Sequence, residues 1–189
     1  MVSRNNKGES SGTQTKLVTF AGGCFWCMEP IFRIQKGVKD AVVGYSGGTK
    51  ATPTYDQVST GKTGYREAIQ ITFDPTLTPY EKLLDIFWHN IDPTDGGGQF
   101  ADRGDQYLTT IYFHDEDQRE EAEASRDTLE KSGRFSAPIA TQILRYRNFF
   151  PAEEEHQRYY QKRPLHYNLY HEGSGRDEFL AKTWDTHKP

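Results

Sequence analysis

The feature that most constrains the fold is a pair of glycines directly followed by the chain's two cysteines, in the segment Gly22-Gly23-Cys24-Phe25-Trp26-Cys27. Residues 16–20 are predicted to form a short strand, and residues 25–35 are predicted to form a helix. The glycines then supply the tight turn between them, because glycine adopts backbone conformations that other residues resist. Cys24 is therefore expected at the start of the helix, with Cys27 one turn further on and on the same face.

This placement suits the two cysteines to redox chemistry. A thiol reacts as the thiolate, which the start of a helix favours through its unpaired N–H groups and the positive end of its dipole. Cα atoms three positions apart on a helix also lie roughly within the 4.4–6.8 Å that a disulfide spans. Cys24 and Cys27 can therefore be a reactive thiol and its resolving partner.

Length and composition limit the other functions of the chain. A length of 189 residues suits one domain with a full-sized core. A net charge of −4 and an isoelectric point of about 5.9 predict no strong attraction to nucleic acid or anionic lipid. Two cysteines are too few for a disulfide scaffold, so a close pair indicates redox or metal chemistry.

The first sixteen residues are polar and rich in Ser, Gly, Asn and Lys. They lack the apolar segment of a signal peptide, and no apolar run approaches the roughly 20 residues of a membrane-spanning helix. We therefore predict a disordered leader over residues 1–16 and a single domain over residues 17–189. The protein is expected to be cytoplasmic, with a monomer as the default state.

The rest of the chain shows strand and helix signals in alternation, without an internal repeat. Alternating apolar residues and turn signals predict further strands over residues 38–45, 68–73, 107–113 and 139–146. Capping and periodic apolar residues predict further helices over residues 80–91, 116–132, 151–161 and 177–184. Residues 92–106 form a long polar loop, which is typical of a functional or disordered segment. The fold class is therefore α+β, with helices on a mixed, largely antiparallel sheet.

Several separated motifs follow one another along the chain. The first is Gly23-Cys24-Phe25-Trp26 with Glu29, and the others lie at residues 43–48, 54–58, 63–68, 87–88, 92–107, 150–153 and 156–157. In this order they resemble the motifs of the A-class peptide methionine sulfoxide reductases. The resemblance implies a two-layer α/β sandwich around a ferredoxin-like core, which agrees with the predicted class.

The resemblance also implies a reaction, the thiol-dependent reduction of methionine S-sulfoxide, free or in proteins, which repairs oxidative damage. Cys24 would attack the sulfoxide sulfur while Glu67, kept protonated by burial, protonates the oxygen. Methionine leaves, and Cys27 condenses with the resulting Cys24 sulfenic acid to form a disulfide. Thioredoxin, the dithiol used by the family, would reduce this disulfide, and no bound cofactor or metal is expected.

Five further residues are implied to bind the substrate. Phe25 and Trp26 would form walls for the S-methyl group, because sulfur and methyl groups pack well against aromatic rings. The hydroxyls of Tyr55 and Tyr107 would hold the sulfoxide oxygen beside the acid. Asp102 would contact the substrate backbone or a water network.

The sequence departs from the family pattern in three places. Cys27 replaces a glycine of many members, and residues 173–189 lack the resolving cysteines that those members carry in the C-terminal tail. Tyr65-Arg66 replaces the usual His-Ala before the glutamate. Less polar residues surround Gln99 in the central loop, which puts contacts to the substrate peptide in question: Gly97, Gly98, Phe100 and Ala101.

Three alternatives remain open from the residues alone. A structural zinc site would need two ligands besides the cysteines, and the six histidines show no matching pair. Glu153 and His156 have the spacing of a di-metal motif, although an ion pair on a helix surface is the simpler interpretation. A thioredoxin-like dithiol exchanger would use the same cysteines, but it usually has Gly-Pro between them. A pure binding module would leave the Gly-Gly-Cys turn unexplained.

Overall fold

The computed structural model describes residues 14–184. Residues 1–13 of the predicted leader lie outside this range, and the first strand begins at Lys16. The strands of the described chain are β1 Lys16–Ala21, β2 Val38–Ser46, β3 Arg66–Phe73, β4 Gly98–Gln99, β5 Asp102–Arg103, β6 Thr110–Phe113, β7 Gln142–Arg145 and β8 Phe149–Pro151. Its α-helices are α1 Phe25–Arg33, α2 Tyr55–Val58, α3 Tyr80–Trp88, α4 Glu116–Lys131, α5 Tyr159–Lys162, α6 Pro164–Gly173 and α7 Arg176–Trp184.

Six of these strands form one sheet in the order β7-β6-β1-β3-β2-β8. Neighbouring strands are antiparallel except β6 and β7, which are parallel. The sheet is therefore mixed and largely antiparallel, and the predicted α+β class is confirmed. The chain order β1-α1-β2-β3-α3-β6, with β6-β1-β3-β2 side by side, is compatible with a ferredoxin-like core.

The main hydrophobic core lies between the sheet and the helices α1, α3 and α4. The rings of Phe20 in β1 and Phe87 in α3 stack there with centroids 4.8 Å apart. The apolar positions predicted for α3 are all buried: Tyr80, Leu83, Leu84, Phe87, Trp88 and Ile91. A second, smaller cluster surrounds Phe25, the first residue of α1, and includes Tyr45 and Tyr65. This second cluster places aromatic side chains beside the two cysteines.

Two of the predicted strands are shorter in the structure. Residues 107–113 were expected to be one strand, but Tyr107 belongs to a 3₁₀ turn, Asp105–Tyr107, and the strand begins at Thr110. Residues 139–146 contain only the four-residue strand β7. The loop over residues 92–106 holds the small ribbon of β4 and β5, which the ion pair between Asp95 and Arg103 supports. The long polar loop is therefore locally ordered.

The helix predicted over residues 151–161 is wrong. The chain there forms the end of β8, a 3₁₀ turn at Glu154–His156 and the short helix α5. The side chain of Gln157 exchanges hydrogen bonds with the backbone of Val43, at 3.0 and 2.8 Å, and Glu29 accepts one from the N–H of Arg158 at 2.7 Å. Arg158 is also left-handed, with φ of 53°. Bonds to distant parts of the chain therefore override the local helical preference.

Helix α6, which the sequence did not predict, follows directly, and the predicted terminal helix corresponds to α7. None of the helices within residues 14–184 is long and apolar enough to cross a membrane.

Candidate active site

The turn between β1 and α1 sets the position of both cysteines. Gly23 has φ of +81°, and a Cβ atom on it would lie 2.6 Å from Cβ of Gln99, so only glycine fits there. Cys24 occupies the position before the first helical residue, and the N–H of Cys27 donates to its carbonyl at 3.1 Å. The predicted strand, turn and helix are confirmed. Both thiols are free and buried, at 4% and 3% exposure.

Glu67 lies beside the start of α1 rather than on a solvated strand edge. It is the second residue of β3, an interior strand, and is 2% exposed. Its Oε2 accepts a hydrogen bond from the N–H of Phe25, the residue after Cys24, at 3.0 Å. Burial, with a smaller effect of the nearby Cys24, raises the pKa of Glu67 well above its usual value. The raised pKa favours the protonated carboxyl group, which can donate its proton.

Tyr55 and Tyr107 are half-buried around this carboxyl group. Burial raises the pKa of both phenols, and the proximity of Glu67 raises it further. The proximity of Tyr55, Asp102 and Cys24 also raises the pKa of Tyr107, so these groups lie close together in one site. Both tyrosines therefore keep their hydroxyl protons and can donate hydrogen bonds to an oxygen atom placed beside Glu67.

The two aromatic residues after Cys24 have different surroundings. Phe25 is fully buried in the second cluster, whereas Trp26 is partly exposed at its edge. The indole ring of Trp26 stacks on Tyr159 of α5, with centroids 4.0 Å apart. Its Nε1–H donates to Nδ1 of His156 at 3.2 Å, and the imidazole in turn stacks on Tyr55 at 4.2 Å. These rings form a continuous aromatic wall next to the thiols.

Glu153 and His156 do not form the ion pair on a helix surface that their spacing suggested. Glu153 accepts hydrogen bonds from the hydroxyl of Tyr45 at 2.7 Å and from the N–H of Tyr55 at 2.9 Å. His156 is buried, which lowers its pKa and keeps the ring neutral, as its acceptor role toward Trp26 requires. Both residues therefore hold the aromatic wall in place.

Asp102 faces the cysteines rather than solvent. It is half-buried in β5, and burial raises its pKa. The hydroxyl of Tyr170 in α6 donates to Asp102 and also lies within hydrogen-bonding reach of Cys24. Tyr170 was not identified from the sequence, because its element, α6, was not predicted.

Arg176 is a second residue that the sequence did not reveal. Its side chain enters the site from the start of α7 and is 3% exposed. The guanidinium group donates to the carbonyl oxygens of Gly22, at 3.2 Å, and Asn90, and it lies 4.6 Å from the ring centre of Phe100. Phe100, one of the departures from the family pattern in the central loop, therefore stabilises the buried positive charge of Arg176.

The two thiols differ in acidity. Burial raises the pKa of Cys24 well above its usual value, and its hydrogen bond to Cys27 raises it further. The pKa of Cys27 is lowered, first because it accepts that hydrogen bond and then because Arg176 is close. The start of the helix was expected to favour the thiolate at Cys24, whereas burial favours its thiol. Cys27 is the more acidic of the two thiols.

Residues 14–184 contain no group of three or more His, Cys, Asp or Glu side chains arranged to hold a metal ion. The further ligands that a zinc site at the cysteines would need are not found in this part of the chain.

Known proteins resemble this chain over most of its length. Residues 16–188 match the family model described as peptide methionine sulfoxide reductase. The peptide methionine sulfoxide reductase MsrA of Bacillus pumilus is 55% identical over 169 residues, which cover 89% of this chain and 95% of the relative. The protein of the same name from Halalkalibacterium halodurans is 56% identical over 165 residues, covering 87% and 94%.

Solved structures agree with these sequence matches. Reduced Mxr1 from Saccharomyces cerevisiae superimposes with a TM-score of 0.76 at 32% identity, over 81% of this chain and 88% of that chain. A structure of Mxr1 in complex with Trx2 matches at 24% identity, with a TM-score of 0.55 over 77% and 86% of the two chains, and supports the fold alone.

We predict that the two thiols titrate in separate steps. In protein labelled with carbon-13 at cysteine Cβ, the NMR signal of Cys27 should shift at a pH below the ordinary thiol value of about 8.5, and that of Cys24 well above it. Replacing Cys24→Ala removes the hydrogen-bond donor and should raise the pKa of Cys27. The matched Cys24→Ser variant keeps a hydroxyl donor and should raise it less. Two thiols titrating together near 8.5 would contradict the arrangement.

Proposed function

This chain belongs to the peptide methionine sulfoxide reductase family and is an enzyme of that kind, and we propose that Cys24, Glu67 and Cys27 carry its reaction. The observation that carries the proposal is the bond from the N–H of Phe25 to Glu67, because it holds a buried, protonated acid next to Cys24. An acid beside a nucleophile is what reduction of a sulfoxide requires, since the sulfoxide oxygen must be protonated as its bond to sulfur breaks. We assign the catalytic domain to residues 17–189.

In the first step the sulfur of Cys24 attacks the sulfoxide sulfur. The thiol proton of Cys24 passes to the Cys27 thiolate, its hydrogen-bond partner, and Glu67 gives its proton to the sulfoxide oxygen. The protonated oxygen passes from the substrate sulfur to the sulfur of Cys24, so that the sulfur–oxygen bond of the substrate and its new bond to Cys24 both break and methionine leaves as the thioether. Cys24 is oxidised to the sulfenic acid, Cys27 is now protonated, and Glu67 is a carboxylate.

In the second step Cys27 attacks the sulfur of the Cys24 sulfenic acid. A disulfide forms and water leaves, which returns the two sulfurs to a state that a dithiol can reduce by exchange. Thioredoxin is the proposed reductant, as the family implies, and Mxr1, which in its reduced form is 32% identical to this chain, has been solved in complex with Trx2. No bound cofactor takes part in these steps.

Substrate recognition is assigned to the residues around the acid. Phe25 and Trp26 hold the S-methyl group of the methionine sulfoxide, and Tyr55 and Tyr107 donate hydrogen bonds to its oxygen. Asp102 contacts the substrate backbone or orders water at the rim. Because the methyl group and the oxygen then have fixed places, one sulfoxide epimer fits, and we assign the S epimer as in the family.

We also propose a cytoplasmic, monomeric protein. A reducing compartment keeps a pair of free cysteines in the thiol form in which the cycle begins.

Replacing each cysteine should separate the two steps. Cys24→Ser should abolish the release of methionine from a methionine sulfoxide peptide, because the nucleophile is lost. Cys27→Ser should release about one methionine per enzyme and then stall with thioredoxin as reductant, since the sulfenic acid has no intramolecular partner. Chromatography of released methionine measures both results. Sustained turnover by Cys27→Ser at the wild-type rate would show that thioredoxin attacks Cys24 directly.

Replacing Glu67→Gln should slow the first step by about 100- to 10,000-fold, the usual contribution of a general acid. The amide oxygen still accepts the hydrogen bond from Phe25, so the start of α1 keeps its geometry. Rapid-quench measurement of the first methionine released tests this, with thermal unfolding as the control for structure. A first turnover within threefold of the wild type would remove Glu67 from the acid role.

A further inference from the structure

Cys27 borders a cavity that the C-terminal helices help to form. This cavity has a volume of about 300 Å³, and its lining includes Cys27, Tyr167, His171, Arg176, Asp177 and Leu180. Among the residues that the structure describes, neither Cys24 nor Glu67 belongs to the lining. The C-terminal helices α6 and α7 thus supply polar side chains to Cys27.

His171 stands directly against the resolving thiol. Its Nδ1 lies 3.3 Å from Sγ of Cys27, and its Nε2 lies 2.9 Å from Oδ1 of Asp177. In the tautomer with the hydrogen on Nε2, the carboxylate accepts that hydrogen and the lone pair of Nδ1 is directed at the sulfur, ready to accept a proton once Cys27 carries one. Cys27, His171 and Asp177 therefore form a hydrogen-bonded chain of nucleophile, base and orienting group, as in other activated nucleophiles.

The surrounding structure fixes this imidazole. His171 is in the last turn of α6, and its carbonyl accepts hydrogen bonds from the N–H and the hydroxyl of Ser174, at 3.2 and 2.6 Å. Its ring stacks on Tyr167, with centroids 5.5 Å apart, and remains 23% exposed. Asp177 is at the start of α7, so the turn between the two helices sets the distance between base and carboxylate.

We propose that His171, oriented by Asp177, is the base that accepts the proton of Cys27 when Cys27 attacks the oxidised Cys24. This inference rests on the proposed function, because it concerns the second step of that cycle. The S–H bond of Cys27 breaks and its proton moves to Nδ1 of His171, the S–S bond forms, and the S–O bond of Cys24 breaks. The imidazolium then releases its proton to the departing hydroxide, which leaves as water.

The first step creates the need for such a base. In the reduced enzyme the Cys24 thiol donates a hydrogen bond to Cys27 and lowers its pKa. Oxidation of Cys24 consumes that thiol and leaves Cys27 protonated. Arg176 still stabilises a thiolate by its charge, but it cannot accept a proton. His171 is the side chain at the sulfur that can.

The test follows the two steps in one turnover. Reduced wild type and His171→Ala are mixed with one equivalent of a methionine sulfoxide peptide and quenched with acid. Released methionine reports the first step, and mass spectrometry reports the disulfide and the sulfenic acid, which dimedone traps. We expect His171→Ala to release methionine at the wild-type rate and to form the disulfide at least about tenfold more slowly. Added imidazole should restore disulfide formation, because the deleted ring leaves room for it beside Cys27.

Matched variants separate proton transfer from packing. His171→Gln keeps a hydrogen-bonding side chain but cannot take up the proton, so it should be as slow as His171→Ala. Asp177→Asn should slow disulfide formation only about two- to fivefold, because this carboxylate is mostly exposed. His89, directly after α3, forms a similar pair with Asp85 at 3.1 Å but does not line the Cys27 cavity, and His89→Ala should behave as the wild type.

Wild-type disulfide formation in either His171 variant, or slow formation in His171→Ala that imidazole does not restore, would overturn the assignment. Failure of the proposed function looks different, because the wild type itself would then release no methionine or form no disulfide.

Discussion

The hydrogen bond from the N–H of Phe25 to the carboxyl group of Glu67 is the contact on which the rest of the site depends. It joins the first turn of α1 to the interior strand β3. The backbone of α1 therefore fixes the position of the Glu67 carboxyl group, the proposed acid, relative to Cys24, the proposed nucleophile. This hydrogen bond requires the left-handed turn at Gly23, and burial raises the pKa of the Glu67 carboxyl group. Fold and chemistry are therefore specified by the same few contacts.

The two cysteines lie in contrasting surroundings, which gives them separate tasks. Burial and the hydrogen bond to Cys27 raise the pKa of Cys24, whereas the hydrogen bond from Cys24 and the charge of Arg176 lower the pKa of Cys27. His171 lies against Cys27, with Nδ1 3.3 Å from Sγ. The tail has no cysteine, but its helices place His171 and Arg176 beside Cys27. In the proposed cycle the C-terminal segment is therefore part of the recycling step.

Local patterns in the sequence were sufficient for the features closest to the chemistry. The Gly-Gly turn placed Cys24 and Cys27 correctly, and the apolar periodicity of α3 identified its buried face. The patterns gave the wrong secondary structure where contacts with distant residues determine it. Hydrogen bonds between Gln157 and β2 replace the helix predicted over residues 151–161. Arg176 and His171 have no motif, since their roles arise only when α6 and α7 pack beside α1. The burial that raises the pKa of Cys24 depends on the packing of the whole fold, so the position at a helix start does not predict it.

The most direct test of the central claim is the mass of the enzyme after reaction with one equivalent of methionine sulfoxide, without added reductant. Transfer of oxygen to Cys24 followed by attack of Cys27 predicts a protein lighter by two hydrogen atoms, with one cross-linked peptide pair joining Cys24 and Cys27. A protein that releases methionine but keeps both thiols, or that retains the added oxygen with Cys27 unlinked, would contradict it.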